Sequence, residues 1–378
     1  MSRLLISCGE ASGDLYAGEL IRHLKPLVPG LSVFGLGGDR VETQGSRLTA
    51  HTRDLAVVGL LEVVRHLPRL RRIFRRLLDE VDRDRPAAAV LIDYPDFNLR
   101  LARELHQRGI PVLYYVSPQV WAWRRGRIRA IRETARHMIV IFPFEEALYR
   151  EAGVPVTFVG HPLVDLVKPA ADPNALLRGL GLDPARPLVA VLPGSRPQEV
   201  AHNLPGLAAA VELLAGRHPE LQFVLAAAPH LDPGGLRARV GTAPLLLVQD
   251  ATHAVVAAAR VALVASGTAT VETAILGTPM VVVYRLSALT YLLGRPLVRV
   301  PHYAMVNLIA EGRVVPELMQ HEFTPARVAA EAEQLLDEGP SRQAMLESLA
   351  DVRQRLGGPG ASERAASLVA DLLVRSAS

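Results

Sequence analysis

Short apolar runs alternate along this chain with longer segments in which apolar residues recur every three to four positions. An apolar run without polar alternation marks a parallel strand buried on both faces; the longer spacing marks an amphipathic helix. Residues 4–8, 32–36, 87–92, 112–116, 138–142 and 156–159 read as such strands, with a first connecting helix from about Leu15 to Leu27. The pattern breaks over 161–187, where Pro162, Pro169, Pro173, Pro184 and Pro187 punctuate the chain, and that stretch reads as a linker with one short helix. Strands resume over 188–192, 222–226, 245–248, 261–264 and 280–283. Such alternation predicts an α/β fold of two Rossmann-like, doubly wound domains with a cleft between them. Residues 1–165 are expected to form the first domain and 166–359 the second, with a final helix over about 360–378 crossing back onto the first.

Composition removes several classes. With 378 residues, 49% hydrophobic and 21% charged, the chain fills two cores and is not a disordered one. Its one cysteine, Cys8, excludes an intramolecular disulfide and a cysteine-based metal cage. No run approaches the ~20 apolar residues of a spanning helix, and the N-terminus carries no secretory pattern, so a cytoplasmic protein with at most peripheral membrane contact is expected. The pI near 9.4 admits nucleic acid, anionic lipid or a phosphorylated substrate as partner. A net charge of +4 is too small to choose among them.

Where the positive charge sits says more. Leu60, Val63, Leu67, Leu70, Phe74, Leu77 and Val81 form a helical stripe, with Arg65, Arg69, Arg72 and Arg76 mainly on other faces and Pro68 expected to break or kink the run. One reading is a buried helix with a solvated basic face. The other is an element drawn to anionic lipid, with Leu60, Val64, Leu67, Arg72 and Arg76 at the membrane.

Ligands of open α/β sheets bind beyond the carboxyl ends of the strands. After the first strand comes Gly9-Glu10-Ala11-Ser12-Gly13-Asp14, which is neither a dinucleotide fingerprint nor a P-loop. It suits close backbone approach to a ligand or, equally, a tight structural turn. The strand at 87–92 ends in Asp93-Tyr94-Pro95-Asp96-Phe97-Asn98, whose carboxylates are either a general base or helix N-caps. Their spacing does not suit a metal, and no convincing metal site or cofactor is expected elsewhere. The next strand ends in Ser117-Pro118-Gln119-Val120-Trp121-Ala122-Trp123-Arg124, where the tryptophans wedge a corner or face a sugar or acyl chain.

In the second half, Pro193-Gly194-Ser195-Arg196 opens a helix containing Glu199, and Ser266-Gly267-Thr268-Ala269-Thr270-Val271-Glu272 opens another. Small residues at a helix start expose backbone N–H groups to an anion, and Arg196 can bind phosphate bidentately. Two such cradles in one domain suggest a pyrophosphate, with Glu272 placed for ribose hydroxyls.

Together with Gly160-His161-Pro162 and the stretch from Asn307 to Gln320, these motifs resemble the lipid-A-disaccharide synthase family, in order and over nearly the whole chain. The resemblance implies a GT-B fold and an inverting, metal-independent glycosyltransferase. It implies UDP-2,3-diacylglucosamine as donor, 2,3-diacylglucosamine 1-phosphate as acceptor, and a β-1,6-linked disaccharide 1-phosphate and UDP as products. It places Gly194, Ser195, Arg196, Ser266, Gly267, Thr268, Glu272 and Asn307 at the donor, and Glu10, Ser12, Gly13, Asp14, Asn98, Gln119 and Trp121 at the sugar or acceptor. Asp96 is then the base, with Asp93 orienting or capping. Nucleic acid is not an expected partner; the inner face of the inner membrane is the expected location. A homodimer, formed in members of the family by exchange of C-terminal segments, is compatible with the sequence. A UDP-N-acetylglucosamine 2-epimerase and a non-catalytic nucleotide-sugar binder are the alternatives; the Trp121-Ala122-Trp123 stretch and the basic helix favour the synthase over the epimerase.

Overall fold

The structure is a computed structural model that describes residues 2–55, 60–121, 126–286 and 301–377, and of 60–66 and 375–377 the backbone course alone. Its strands are β1 (Arg3–Cys8), β2 (Ser32–Gly37), β3 (Arg47–His51), β4 (Ala88–Ile92), β5 (Val112–Tyr115), β6 (His137–Val140), β7 (Val156–Phe158), β8 (Leu188–Leu192), β9 (Gln222–Ala227), β10 (Leu246–Gln249), β11 (Val261–Ala265), β12 (Met280–Tyr284) and β13 (Glu317–Met319). The first seven form a parallel sheet in the order β3-β2-β1-β4-β5-β6-β7, and the rest form a second in the order β10-β9-β8-β11-β12-β13.

The chain divides into two compact units, residues 1–162 with 357–378 and residues 163–356. The closing helix Ala361–Ala377 lies in the first unit against the helix Ala11–Leu27. Arg364 fastens the returning chain by donating from Nε to the Val159 carbonyl at 2.8 Å.

β4, β8 and β11 are buried along their full length, as strands covered by helices on both faces must be. β3 and β13 were not anticipated. Both are edge strands, and their sequences (Arg47-Leu48-Thr49-Ala50-His51 and Glu317-Leu318-Met319) lack the continuous apolar run of a central strand.

Two further expectations change. The helix Leu60–Arg83 runs through Pro68 as one element, with Pro68 on its exposed side. Its stripe is partly a packing face: Ile73, Leu77 and Val81 are buried in the core of the first unit, and Leu70 and Phe74 pack against it. Arg69, Arg71, Arg72, Arg75 and Arg76 are exposed, and Leu67 is half-buried. The side chains of Leu60 and Val64 lie outside the described residues. The first connecting helix also begins earlier than expected, at Ala11, so Ser12, Gly13 and Asp14 form its first turn and Glu10 its N-cap.

Candidate functional site

Each sheet reverses its direction of strand addition once, between β1 and β4 in the first unit and between β8 and β11 in the second. Crevices for ligands open at such reversals, beyond the carboxyl ends of the two strands. The loops there are the ones singled out from the sequence: Gly9–Asp14 after β1, Asp93–Asn98 after β4, Gly194–Arg196 after β8 and Ser266–Thr268 after β11.

In the first unit the loops are locked together by buried polar contacts. Asn98 is fully buried. It accepts from the Ser7 hydroxyl at 2.6 Å, and its amide nitrogen donates to the carbonyls of Ser7 at 3.2 Å, Ile92 at 3.2 Å and Asp93 at 2.8 Å. The Tyr114 hydroxyl donates to the same Asp93 carbonyl at 2.7 Å. Asn98 was expected to contact sugar; its amide instead staples the ends of β1 and β4, a positioning role. Asp14 changes in the same way. Its carboxylate accepts from the backbone N–H of Gly38 at 2.5 Å, Arg40 at 3.0 Å and Val41 at 3.2 Å, capping the short helix Asp39–Glu42.

Asp93 and Tyr94 take left-handed φ values of 46° and 49°, and just past β5 so do Val116 at 65° and Gln119 at 46°. Non-glycine residues hold such angles at a cost of about 1 kcal/mol or more each, and they gather at functional sites. The Tyr94 ring lies on Gly9, where a Cβ would fall inside it. Burial, with Glu10 and Asp96 nearby, pushes the Tyr94 hydroxyl up to about 12, so at neutral pH it is a hydrogen-bond donor and not a base. Asp96 sits in the first turn of the helix Pro95–Gln107 with its carboxylate 72% exposed, not partly buried as a hydrophobic base site would have it. Arg127, on the helix Arg127–Thr134, holds that carboxylate at 2.5 Å.

Trp121 is anchored in the first unit. Its indole N–H donates to Glu145 at 3.1 Å and its ring meets Phe144 edge-on at 5.3 Å, the contacts of a wedge, while the side chain stays half-exposed. Trp123 and Arg124 lie outside the described residues. Glu145, not anticipated, is buried; desolvation pushes its carboxyl up to about 7 against the hydrogen bonds it accepts. Its position as third residue of the helix Pro143–Glu151, reaching back to the Phe142 N–H at 3.3 Å, was the signal available in the sequence.

In the second unit, Gly194 takes a φ of 119° that brings the backbone against Glu199. Glu199 accepts from the N–H groups of Ser195 at 3.2 Å and Arg196 at 3.3 Å, and lies 3.6 Å from the Arg196 guanidinium. Glu199 thus closes a capping box over the N–H groups that were expected to cradle a phosphate. Tyr284, at the end of β12, is raised by burial and lies beside Glu199 and Arg196. Buried Asn203 ties the Pro193 carbonyl at 3.1 Å to the Arg285 N–H at 2.9 Å.

At the second cradle, Ser266 donates to the Tyr303 carbonyl at 3.1 Å, and Gly267 has a φ of 152° with open space where a Cβ would stand. Glu272 lies one turn into the helix Thr268–Ile275, 3.7 Å from His253. Asn307, expected at the donor, is fully buried. It bonds Glu317 at 2.6 Å, the Val315 carbonyl at 3.0 Å and the N–H groups of Val314 at 2.8 Å and Val315 at 3.0 Å. Glu317 in turn accepts from the N–H groups of Tyr303 and Ala304, both at 3.0 Å. The pair ties the short helix Met305–Ala310 and the residues before it to the start of β13.

A cluster with metal-ligand chemistry exists among the described residues, at Asp39, Glu42 and His51. Arg53 donates to Asp39 at 3.0 Å and to His51 at 3.0 Å, so a guanidinium already serves those groups.

Two doubly wound parallel units, each with its polar loops at the reversal of strand order, are the architecture of the GT-B fold. A solved UDP-GlcNAc 2-epimerase from Neisseria meningitidis matches 99% of this chain and 100% of its own with a TM-score of 0.65 at 12% identity. The glycotransferase of kitacinnamycin matches 98% of this chain and 99% of its own with a TM-score of 0.67 at 19% identity. At those identities the likeness concerns the fold.

The sequence decides within the class. The family model described as lipid-A-disaccharide synthetase matches residues 4–371. The lipid-A-disaccharide synthase of Koribacter versatilis is 47% identical over 98% of this chain and 97% of its own, and that of Solibacter usitatus 45% identical over 99% and 98%. The chain belongs to the lipid-A-disaccharide synthase family and is a glycosyltransferase.

Proposed function

We propose that the chain transfers 2,3-diacylglucosamine from UDP-2,3-diacylglucosamine to 2,3-diacylglucosamine 1-phosphate with inversion, giving the β-1,6 disaccharide 1-phosphate and UDP. The observation that carries this reading is the pairing of polar loops at each strand-order reversal, anion cradles in one unit and an exposed carboxylate in the other. The second unit holds UDP through Gly194, Ser195, Arg196, Ser266, Gly267 and Thr268, with Glu272 on the ribose hydroxyls and Asn307 positioning from behind. Pyrophosphate replaces the Glu199 carboxylate at the Ser195 and Arg196 N–H groups. The first unit holds the acceptor through Glu10, Ser12, Gly13 and Gln119.

As the acceptor's 6-hydroxyl oxygen bonds to the donor's anomeric carbon, its proton passes to the Asp96 carboxylate. The bond from that carbon to the β-phosphate oxygen breaks, its electron pair leaving with UDP. Arg127 orients Asp96, and Asp93 shapes the turn beneath it. Arg196 and the backbone N–H groups stabilise the charge that develops on the departing phosphate. The inverting geometry parallels that of inverting glycosidases.

Purified protein given both acylated sugars should release UDP and disaccharide in equal amounts, undiminished by excess chelator. UDP release without disaccharide, or a UDP-sugar epimerised at carbon 2, overturns the reading. No helix among the described residues is long and apolar enough to cross a membrane. The exposed arginines of the helix Leu60–Arg83 suit peripheral attachment to anionic lipid on the inner face of the inner membrane. Replacing Arg72 and Arg76 together by Ser should weaken binding to anionic vesicles by about tenfold or more, an effect that added salt should also produce.

A further inference from the structure

Between the helices Pro95–Gln107 and Arg127–Thr134 lies a hollow of about 230 Å³ lined by Asp96, Leu99, Arg100, Arg103, Arg127 and neighbouring backbone. Three arginines and one carboxylate meet there. Arg127, with its side chain only 9% exposed, is engaged with Asp96. Arg100 and Arg103 are exposed, and among the described residues neither makes an ion pair with a carboxylate, although Asp96 stands one turn before Arg100. The hollow therefore holds an excess of positive charge, built into two helices of one unit and opening beside the carboxylate assigned as base.

We propose that this hollow binds the phosphate monoester of the acceptor sugar, with Arg100 and Arg103 as its main ligands. The proposal rests on the reading of Asp96 as the base and deepens it. Guanidinium groups bind phosphate oxygens in charge-assisted, often bidentate, hydrogen bonds. The volume falls below the about 300–1,000 Å³ of pockets that enclose a drug-sized ligand, and suits a headgroup. Distance along the helix gives the register. At about 1.5 Å of rise per residue, Arg100 and Arg103 stand about 6 and about 10 Å beyond Asp96. That is the scale of a hexose ring with its substituents, so a sugar whose 6-hydroxyl faces Asp96 directs the phosphate on carbon 1 towards the two arginines. Leu99 and Ala130 supply an apolar wall for the ring.

The test uses Arg100→Gln, Arg103→Gln and the double variant, with short-chain diacylglucosamine 1-phosphate and its dephosphorylated counterpart as acceptors. The expected result is a rise in KM for the phosphorylated acceptor of about tenfold per residue, the factor that losing one charge-assisted hydrogen bond brings. The donor KM and UDP affinity stay fixed, the dephosphorylated acceptor is unaffected, and Arg103→Lys restores part of the loss. An unchanged KM, or an equal rise for both acceptors, overturns the proposal. Loss of binding to anionic vesicles with an unchanged KM for the soluble acceptor also overturns it, and assigns the arginines to lipid headgroups. Calorimetric binding of the phosphorylated acceptor separates this proposal from the reaction itself. Arginine-dependent binding in a protein that makes no disaccharide keeps the phosphate site and removes the proposed transfer. Disaccharide formation with arginine-independent binding does the reverse.

Discussion

At the strand-order reversal of the second unit the positive φ angles near the cradles belong to glycine, Gly194 at 119° and Gly267 at 152°, and buried Asn203 and Asn307 pin the surrounding backbone. At that of the first unit the strained angles belong to Asp93 and Tyr94, with Val116 and Gln119 past the neighbouring β5, and a carboxylate and a group of arginines lie on the helix that follows. A cradle made of backbone N–H groups needs close approach to a phosphate, which glycine permits without strain. On the proposed reading, the proton acceptor of the first unit is Asp96, which stands two residues beyond the strained Tyr94 in the first turn of the helix that this turn leads into. The two units share a topology, and on the proposed reading they divide the work by the residues that stand at its reversal point.

Removing the carboxylate tests that division most severely. Asp96→Asn should lower kcat by about 10²–10⁴, the usual contribution of a general base, with UDP affinity unchanged. Asp93→Asn should cost far less, because it is the Asp93 carbonyl that Asn98 and Tyr114 hold. The opposite ranking would transfer the base role to Asp93. On the donor side, Arg196→Ala should reduce kcat/KM by about 10²-fold, the scale of one lost donor to a developing anion. An effect on the acceptor KM alone would break the assignment of UDP to the second unit.

A smaller contrast separates two glycines. Gly9→Ala should destabilise the first unit by about 1–3 kcal/mol, since the new methyl displaces the Tyr94 ring. Gly267→Ala has open space and should cost about 1–3 kcal/mol through its backbone angles alone, with no side chain displaced. Thermal melts check both, and a Gly9→Ala variant that melts like the parent would contradict the Tyr94 contact, since Gly9 carries no positive φ to cost stability on its own.

The finest test is pH. Two buried groups that meet Phe142 are shifted in opposite senses, and both belong to the first unit. Burial depresses His161 to about 3, so below its unfolded value of about 6.5 the unfolded chain takes up a proton that the folded chain refuses. Stability from this group is complete above pH 6.5 and falls towards pH 3. Glu145 is raised to about 7, so between its unfolded value near 4.5 and pH 7 the folded chain retains a proton that the unfolded chain has lost. Its stability is complete at low pH and falls as pH rises through that window. The two slopes, each at most about 1.4 kcal/mol per pH unit, oppose one another where they overlap. Glu145→Gln should therefore expose a loss of stability on acidification from pH 6.5, and His161→Gln a loss on raising pH from 4.5. Parallel, unchanged curves for both variants would show that neither group stays buried in its uncharged form.

How much was legible follows the physics of each element. The central strands and their helices could be read because burial on both faces leaves a continuous apolar run that depends only on local periodicity. The switch-point loops could be read for the same reason, since they follow those strands. β3 and β13 could not, because an edge strand is half-exposed and its polar residues look like loop. The division of labour among polar residues was illegible as well. Asp14, Asn98 and Asn307 have the side chains of ligand contacts, and only the folded chain shows them turned to backbone, Asn98 towards Ser7 and Asp14 towards Gly38. Gly9 looked like a turn glycine until the Tyr94 ring came to rest on it. Local spacing along the chain therefore determined which segments form the sheets and where their functional ends lie. Which of the polar groups at those ends face a ligand was decided only by tertiary structure, because a buried donor or acceptor must find its partner wherever the fold brings one within reach.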